Sequence, residues 1–147
     1  MGDLASAETV AEELRTAIGR LVRRLRSESG MPNQHVTALR WLERDGPMTS
    51  SGLAAAERIT PQSMAVTLTA LHGKGYVERA ADPDDRRQIL WSVTPDGRAV
   101  LAEDRRRRAR WLVTAIDEEL TDEETARLRD AARLLTMIMD RSEARGA

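Results

Sequence analysis

The sequence predicts a mainly α-helical fold with one small β-hairpin, and three observations support this prediction. Apolar residues recur at helical spacing in several segments that glycine and proline separate. Threonine stands at the expected start of four segments and is twice followed by proline. Two stretches that alternate like strands, "YVERA" and "ILWSVT", flank the charged turn "DPDDRRQ". The length fits a single domain over residues 1–147.

The first two helices are predicted from apolar stripes and from the residues that interrupt them. The first covers residues 9–26, and its stripe advances by three or four residues at each step: Val10, Leu14, Ile18, Leu21 and Leu25. Gly30 and Pro32 separate it from the second helix, at residues 34–45. Gly46 and Pro47 end that second helix.

Two further helices are predicted to begin at threonine caps. Thr49 caps a short third helix, and Thr60 caps a fourth, with Pro61 at its first position, where a missing N–H group does no harm. The buried stripe of the fourth helix is expected to contain Met64, Leu68 and Leu71. Gly73 or Gly75 then stops this helix before the hairpin.

The C-terminal third is predicted to form two more helices. The fifth begins with the cap Thr94 and Pro95 and runs to about Ile116. The sixth begins at Thr121 and Glu124, which have the spacing of a capping box. The apolar face expected on the sixth helix consists of Leu128, Ala131, Ala132, Leu135, Ile138 and Met139.

Composition narrows the classes of function. Cysteine is absent, which excludes disulfides and thiolate metal sites, and His35 and His72 are too few for a His-rich metal site, so we expect no cofactor. No apolar run approaches the roughly 20 residues of a membrane span. The N-terminal residues 1–14 lack the features of a secretory signal. These observations predict a cytoplasmic protein without membrane contact.

Charge alone neither indicates nor excludes a nucleic-acid partner, because the formal net charge is −1. A basic run, Arg105–Arg108 with Arg110, invites interpretation as a contact to DNA backbone or acidic lipid. We interpret it instead as a solvated helix face whose positive charges balance those of Glu103, Asp104 and the acids of residues 117–124.

The order of elements describes a winged helix-turn-helix, since two short helices joined by a tight connection precede a charged two-stranded ribbon. The fourth helix would be the recognition helix. No acid occurs from Thr60 to Gly75, and short uncharged or methyl-bearing groups are expected on its outer faces: Gln62, Ser63, Val66, Thr67 and Thr69. Such groups suit major-groove base edges, where a carboxylate would meet phosphate repulsion. The alternative is a partly buried helix that excludes charge for packing reasons.

The turn at residues 82–88 carries the second functional signal. Arg86 and Arg87 at its tip are expected to reach a narrow minor groove, whose negative potential attracts arginine. Asp85, two residues from Arg87, is expected to hold that guanidinium in a fixed orientation. The alternative is a solvated tip with incidental ion pairs.

These residues resemble the multiple antibiotic resistance regulator (MarR) family of bacterial transcription factors. The stretch "LAAAERITPQSMAVTLTALHGKGYVERAADPDDRRQILWSVTPDGR" follows the family pattern, including the D-P-x-D-x-R wing. One departure is Gly52, which stands where the family commonly has Glu, so the capping box of the short helix is missing. The absence of Cys excludes the peroxide-sensing branch.

The resemblance implies a homodimer that binds double-stranded DNA at a near-palindromic site, as a transcriptional regulator and a repressor. It implies a winged domain at about residues 36–95, flanked by dimerisation helices at about 8–28 and 96–145. By the family pattern, base contacts come from the start of the recognition helix: Thr60, Pro61, Gln62, Ser63, Val66 and Thr67. Phosphate contacts come from Thr49, Ser50 and Ser51, and Arg87 is the residue that enters the minor groove.

A small aromatic or amphipathic effector is a further hypothesis from the resemblance, with Trp41, His35 and Trp111 lining its pocket.

Two other functions stay open. A winged-helix protein-interaction module without DNA binding would be indicated by acids on the recognition face, which this sequence lacks. An enzyme has little support, because the sequence lacks Cys, has two His and has no Gly-rich phosphate loop.

Overall fold

A computed structural model describes residues 6–146 of the chain. The first five residues, part of the segment considered as a secretory signal, and residue 147 at the end of the predicted domain lie outside this range. The chain divides into two compact units between Arg108 and Ala109. The domain limits given above therefore stay a prediction.

Over its described residues, the first unit contains five helices, the fifth only in its first half, and three strands. In chain order these are α1 (Ala7–Ser27), α2 (Asn33–Asp45), β1 (Met48–Thr49), α3 (Ser50–Glu57), α4 (Pro61–Gly73), β2 (Val77–Ala81), β3 (Ile89–Val93) and the start of α5 (Pro95–Glu119). The second unit contains the remainder of α5 and all of α6 (Asp122–Gly146). The mainly helical class and the six predicted helices are confirmed, although α5 continues to Glu119 rather than ending near Ile116.

The sheet has three antiparallel strands in the order β1-β3-β2, where the sequence predicted a two-stranded hairpin. Val77 pairs with Val93 at the base of the hairpin, and Ala81 pairs with Ile89 near its tip. On the other edge of β3, Met48 pairs with Trp91. A strand of two residues has no periodicity to detect, so the sequence could not predict β1.

The core of the first unit lies among α2, α3, α4 and the hairpin. Met64, Leu68 and Leu71 are each at most 1% exposed, as the stripe of α4 predicted. They pack with buried residues of the other elements: Val36, Ala38, Leu39, Leu42, Leu53, Ala54, Val77, Val93 and Leu101. This packing fixes the orientation of α4 against the sheet and so decides which of its faces meets solvent.

Gly97 allows α5 to pack closely against the chain that precedes β2. A Cβ atom built on Gly97 would lie 2.1 Å from the backbone oxygen of Tyr76 and 2.9 Å from Cγ2 of Val93. Thr94 supports the same junction, because its hydroxyl donates to the backbone oxygen of Gly75 at 2.6 Å and accepts from Gly97 N–H at 3.1 Å. Thr94 is therefore a helix cap, as predicted, and also a link to the turn at Gly75.

The predicted apolar stripes of α1 and α6 are not covered. No residue of either helix is buried. In α1, Val10, Ile18 and Leu21 are 41%, 42% and 38% exposed, and in α6, Ile138 and Met139 are 57% and 59% exposed. No helix within residues 6–146 is both long enough and apolar enough to cross a membrane.

Candidate nucleic-acid interface

Thr49 sits where β1 ends and α3 begins, and its side chain caps the helix. Its Oγ1 accepts a hydrogen bond from Gly52 N–H at 3.0 Å and lies 3.2 Å from the hydroxyl oxygen of Ser51. Because position 52 has no side chain, the reciprocal bond of a capping box is absent, as the sequence indicated. Ser50 is half-buried and Ser51 is exposed, so hydroxyl groups cluster at an N-terminus without acids in its first turn.

The start of α4 is organised in the same way. Thr60 accepts from Ser63 N–H at 3.1 Å and donates its own hydroxyl to Ser63 Oγ at 2.9 Å. Pro61 occupies the first helical turn, which again contains no acid. Both helices therefore present the positive ends of their dipoles without a carboxylate to neutralise them.

The exposed stripe of α4 consists of Gln62, Val66 and Thr69, which lie four and three residues apart on one face. Val66 is 67% exposed, an unusual exposure for a β-branched apolar side chain in mid-helix. Ser63 is half-buried beside this stripe. Because these side chains carry no negative charge, the helix can approach the phosphates of a nucleic acid without repulsion.

Thr67 does not belong to that stripe, which corrects the sequence-based expectation. Its side chain is 3% exposed, and its hydroxyl hydrogen-bonds to the backbone oxygen of Ser63 at 3.1 Å and to Oε1 of Gln34 at 3.3 Å. The methyl group of threonine suits an apolar environment and its hydroxyl is satisfied by the helix and by α2. Thr67 therefore holds α4 against α2 and has no free donor for a base.

The hairpin tip is a turn built by two aspartates. Asp82 N–H donates to the backbone oxygen of Gln88 at 2.9 Å, and Gln88 N–H donates to that of Asp85 at 2.9 Å. The side chain of Asp82 accepts from Asp84 N–H, also at 2.9 Å. Local hydrogen bonds of this type fix a turn without help from the core, so the position of Arg87 is set by its neighbours.

Asp85 and Arg87 make the contact that the sequence predicted. Oδ1 of Asp85 accepts from the backbone N–H of Arg87 at 3.1 Å and lies 3.4 Å from its Nε. The Arg87 side chain is 94% exposed, so solvent screens this ion pair. The contact between the two side chains joins Nε of Arg87 to Oδ1 of Asp85. Arg86 beside it is exposed as well.

A groove of about 580 Å³ brings several of these segments together. It is lined by Thr49, Ser50, Ser51, Pro61, Ala65, Gln88, Ile89 and Trp91. The predicted phosphate-contacting residues thus share one surface with the start of α4 and the β3 side of the wing. The sequence missed Trp91, whose ring packs edge-on against His72 with centroids 5.8 Å apart.

The three residues of the predicted effector pocket are not brought together within the first unit. Trp41 lines a cleft of about 450 Å³ with Thr37, Arg40, Glu43, Arg44 and Arg105, and His35 is not one of its lining residues. Trp111 belongs to the second unit. Burial, and then the positive charge of Lys74, lower the pKa of His35 below its usual value.

The basic run of α5 is engaged with acids. Arg105 pairs with Glu43 of α2, and Arg106 pairs with Glu103 at 3.0 Å. Arg108 pairs at 2.5 Å with Asp104, whose carboxylate is buried and also accepts from Ser29 Oγ at 2.6 Å. The pairs of Arg106 with Glu103 and of Arg108 with Asp104 agree with the interpretation of a helix face that balances nearby acids, whereas the partner of Arg105 lies on α2. The burial of Asp104 was not predicted, because its charge and position resemble those of its exposed neighbours.

Residues 6–146 contain no cluster of three or more His, Asp or Glu that could hold a metal ion. The chemistry that the described surface offers is hydrogen bonding by hydroxyl and amide groups together with two exposed guanidinium groups. This chemistry suits a nucleic-acid duplex better than a small substrate.

Comparisons with known proteins agree with the interpretation of this surface as a nucleic-acid interface. The model of the MarR family matches residues 29–88, which run from the α1–α2 connection to the tip of the wing. An uncharacterised HTH-type transcriptional regulator of Mycobacterium leprae is 35% identical over 142 residues, covering 95% of this chain and 99% of that protein. The relatives are transcriptional regulators and not enzymes, as the sequence led us to expect.

Solved structures show the same fold. A crystal structure of a candidate transcriptional regulator from Pseudomonas aeruginosa is 33% identical with a TM-score of 0.78, covering 92% of this chain and 98% of that one. A Bordetella bronchiseptica regulator whose DNA binding is regulated by 6-hydroxynicotinic acid is 23% identical with a TM-score of 0.56, covering 92% and 98%. With a matching family model, a relative similar over nearly its whole length and a shared winged-helix fold, the chain belongs to the MarR family of transcriptional regulators.

Proposed function

We propose that this protein is a cytoplasmic, homodimeric repressor that binds a near-palindromic site in double-stranded DNA and is released by a small aromatic or amphipathic effector. The observation that carries the proposal is the continuous surface formed by the N-termini of α3 and α4 and the wing. On this surface, hydroxyl and amide groups face solvent without a carboxylate on either helix N-terminus.

Each part of this surface has its own task in the proposal. Thr60, Pro61, Gln62, Ser63 and Val66 read bases in the major groove, where Gln pairs with adenine and a valine methyl touches thymine. The hydroxyl groups of Thr49, Ser50 and Ser51 contact phosphates, together with the helix N-terminus. Thr67 is not included, because it is buried.

The wing supplies the minor-groove contact. Arg87 enters the groove and Arg86 flanks it, while Asp85 fixes the backbone from which Arg87 extends. The ion pair itself contributes little orientation, since it is a single contact of 3.4 Å on an exposed side chain. The larger part of the role of Asp85 is the hydrogen bond that its side chain accepts from the backbone N–H of Arg87, because this bond shapes the turn.

Dimerisation is supported by the uncovered apolar faces of α1 and α6. A helix with an apolar stripe of several exposed residues is marginal in water unless another surface covers it. The exposed Ile18 and Leu21 of α1 and the exposed Ile138 and Met139 of α6 form such stripes. In the proposed homodimer a second copy of the chain covers these stripes, and the two-fold symmetry of the dimer matches a two-fold-symmetric site.

The effector part of the proposal has support from a relative of the same fold. The Bordetella bronchiseptica regulator responds to 6-hydroxynicotinic acid, so this architecture is able to couple a small molecule to DNA binding. In this chain the aromatic residue of the first unit proposed to take part is Trp41, which lines a cleft on α2.

Selection of bound duplexes from a random library with the purified chain tests the proposal. We expect a consensus with two-fold symmetry and half-sites about one helical turn apart. Sedimentation should show twice the mass of the chain. A library that yields no enriched sequence would refute DNA recognition, and a strictly monomeric chain would refute the dimer. Repression is tested separately with a reporter gene behind the selected site, whose expression should rise when the protein is removed.

A further inference from the structure

The turn between α3 and α4 contains an arginine in the left-handed conformation. Arg58 directly follows α3 and has a φ of 56° and a ψ of 42°. Within residues 6–146 it is the one residue other than glycine with a positive φ. This region is unfavourable for an L side chain, because the Cβ atom approaches the following carbonyl oxygen, whereas glycine has no Cβ atom. The turn therefore holds Arg58 in a conformation that a glycine would adopt more easily.

The hydrogen bonds at the end of α3 explain why the backbone takes this conformation. The N–H of Ile59 donates to the backbone oxygen of Ala54 at 3.0 Å, and the N–H of Arg58 donates to that of Ala55 at 3.2 Å. This pair of bonds is the Schellman motif, in which a left-handed residue, usually glycine, follows the helix. Ile59 packs against the hydrophobic core, as the apolar residue of that motif does. The motif thus accounts for the backbone of Arg58 but not for its side chain.

The charge of Arg58 is unusual for this part of the chain. Residues 48–73, which span β1, α3 and α4, contain two charged side chains, Glu57 and Arg58, if histidine is counted as neutral. Glu57 is half-buried, and its Oε2 accepts from Nε1 of Trp41 at 2.9 Å. Arg58 is exposed, and its guanidinium group forms no hydrogen bond or ion pair with any residue in 6–146. The one cation of the helix-turn-helix is therefore available to a ligand in solution.

The position of Arg58 places it beside the proposed DNA contacts. It precedes Thr60, the exposed cap of α4, by two residues, so the Cα atoms of the two lie at most about 7.6 Å apart. Neutralisation of phosphates by arginine or lysine supplies much of the affinity of a protein for a duplex. The hydroxyl groups that we assign to phosphates at the start of α3 carry no charge. Arg58 supplies the positive charge that these hydroxyl groups lack.

We propose that Arg58 binds a phosphate next to the bases that the start of α4 contacts, and that the turn tolerates a strained backbone because this contact requires a cation there. The inference deepens the DNA contact of the proposed function and rests on it. A guanidinium group binds phosphate through two parallel hydrogen bonds. Because a phosphate carries no sequence information, Arg58 raises the affinity for every duplex and not the preference for one.

The strain is tested first and without DNA, by melting curves followed by circular dichroism. Arg58→Gly removes the unfavourable Cβ contact, and Arg58→Asn reduces it, since asparagine tolerates the left-handed region. We expect the melting temperature to rise by about 2–4 °C in Arg58→Gly and not to fall in Arg58→Asn. Arg58→Lys retains the Cβ atom and should melt as the unaltered chain does. A fall in both Arg58→Gly and Arg58→Asn would show that the arginine side chain stabilises the fold, which overturns the proposal.

The contact is tested by fluorescence anisotropy over a salt series, with the selected duplex and a scrambled duplex of equal length. Arg58→Asn should weaken binding of both duplexes by the same factor, about ten-fold, because one charge-assisted contact is lost. The slope of log affinity against log salt should decrease by about one phosphate equivalent for each subunit, whereas Arg58→Lys should retain the slope. An unchanged slope in Arg58→Asn contradicts the phosphate contact, and a loss confined to the selected duplex would assign Arg58 to a base instead.

Arg98→Gln is the matched control for the loss of one positive charge. Arg98 is an exposed arginine of α5 that forms no ion pair within residues 6–146, and it follows Gly97, which contacts Tyr76 beside the base of the hairpin. Because the base of the hairpin is the end opposite to the wing tip, Arg98→Gln should leave the affinity and the salt slope unchanged. Equal effects of Arg98→Gln and Arg58→Asn would indicate a response to net charge and would refute a local contact.

Uncharged linkages locate the phosphate. A series of duplexes, each with one phosphate in a half-site replaced by a methylphosphonate, is measured with the unaltered chain and with Arg58→Asn. One replacement should weaken binding of the unaltered chain about ten-fold but that of Arg58→Asn less than about two-fold, since the variant has already lost that contact. If every replacement weakens the two proteins by equal factors, Arg58 binds none of these phosphates and the proposal is wrong.

The two proposals fail in different ways. An unaltered chain that binds no duplex contradicts both the proposed function and the Arg58 contact. A chain that binds a symmetric duplex equally well with and without Arg58 contradicts the contact alone. Sedimentation at the assay concentration confirms that each variant has the same mass as the unaltered chain before affinities are compared.

Discussion

Ser29 donates its hydroxyl to the carboxylate of Asp104 at 2.6 Å, a contact that joins the α1–α2 connection to α5 across 75 positions of the chain. Gly30 N–H adds a longer hydrogen bond of 3.3 Å to the same oxygen. The Asp104 side chain is 2% exposed, and Arg108 pairs with its second oxygen at 2.5 Å. A buried carboxylate is tolerated only when such partners replace its water, so this cluster holds the α1–α2 connection in place.

Asp104→Ala is therefore expected to destabilise the protein by about 2–4 kcal/mol, since it leaves Arg108 and the Ser29 hydroxyl without their shared acceptor. Chemical denaturation followed by circular dichroism measures the free energy of unfolding. The exposed pair Asp130 and Arg133, 3.7 Å apart, provides the control. Asp130→Ala should change the free energy by less than about 0.5 kcal/mol, and equal losses in the two variants would contradict the role assigned to Asp104.

Arg87→Ala is expected to weaken operator binding by about 1–3 kcal/mol and to reduce the salt dependence by about one phosphate equivalent. The reason is the loss of an exposed guanidinium group at the tip of the wing. Fluorescence anisotropy over a salt series measures both quantities. Asp85→Asn, which retains an oxygen for the turn, should cost less than Arg87→Ala. An unchanged affinity for Arg87→Ala would refute the wing contact.

Gln62→Ala is expected to relax preference at one base position of each half-site, because an exposed amide is the group most suited to pair with adenine. Thr67→Val, nearly equal in size, should leave base preference unchanged, since the Thr67 hydroxyl is engaged with Ser63 and Gln34. Repeating the duplex selection with each variant gives the comparison. Altered preference in Thr67→Val with none in Gln62→Ala would reverse our assignment.

Gly97→Ala is expected to destabilise the first unit by about 2 kcal/mol or more, the cost of overpacking a tight contact. The added carbon would lie 2.1 Å from a backbone oxygen, which no side-chain rotation relieves. Gly19→Ala is the control, since a Cβ atom there meets nothing within 4 Å. Alanine also favours the helix, so this control should be neutral or slightly stabilising in thermal unfolding.

The lowered pKa of His35 predicts a pH effect on stability. Burial and Lys74 disfavour its protonated form in the folded chain, whereas the unfolded chain takes up the proton near the ordinary value of 6.5. The stability that His35 contributes is complete above about pH 6.5 and decreases as the pH falls below that value. The melting temperature of His35→Gln should therefore fall less between pH 7.5 and 5.5 than that of the unaltered chain. Parallel slopes would contradict this.

Much of the fold followed from local signals. The caps Thr49, Thr60 and Thr121 each act through their own helix, and Thr121 and Glu124 form the expected reciprocal bonds, with distances of 2.9 and 3.3 Å. Such interactions join residues that are three positions apart, so the sequence alone can predict them. The turn at the wing tip is equally local, which is why the Asp85–Arg87 contact was predictable.

The parts that escaped prediction depend on residues far apart in the chain. From the sequence alone, Thr67 is predicted to be exposed and Asp104 to be a surface acid. In the structure, α2 packs against Thr67, and Ser29 donates a hydrogen bond to Asp104. The cleft beside Trp41 needs Arg105, at least sixty positions away from α2, and the indole N–H of Trp41 donates to Glu57 of α3. Helix spacing gives the face of a residue on its own helix, but burial and pairing depend on which helices meet. The packing of the whole core determines which helices contact each other, so a local sequence pattern cannot predict these contacts.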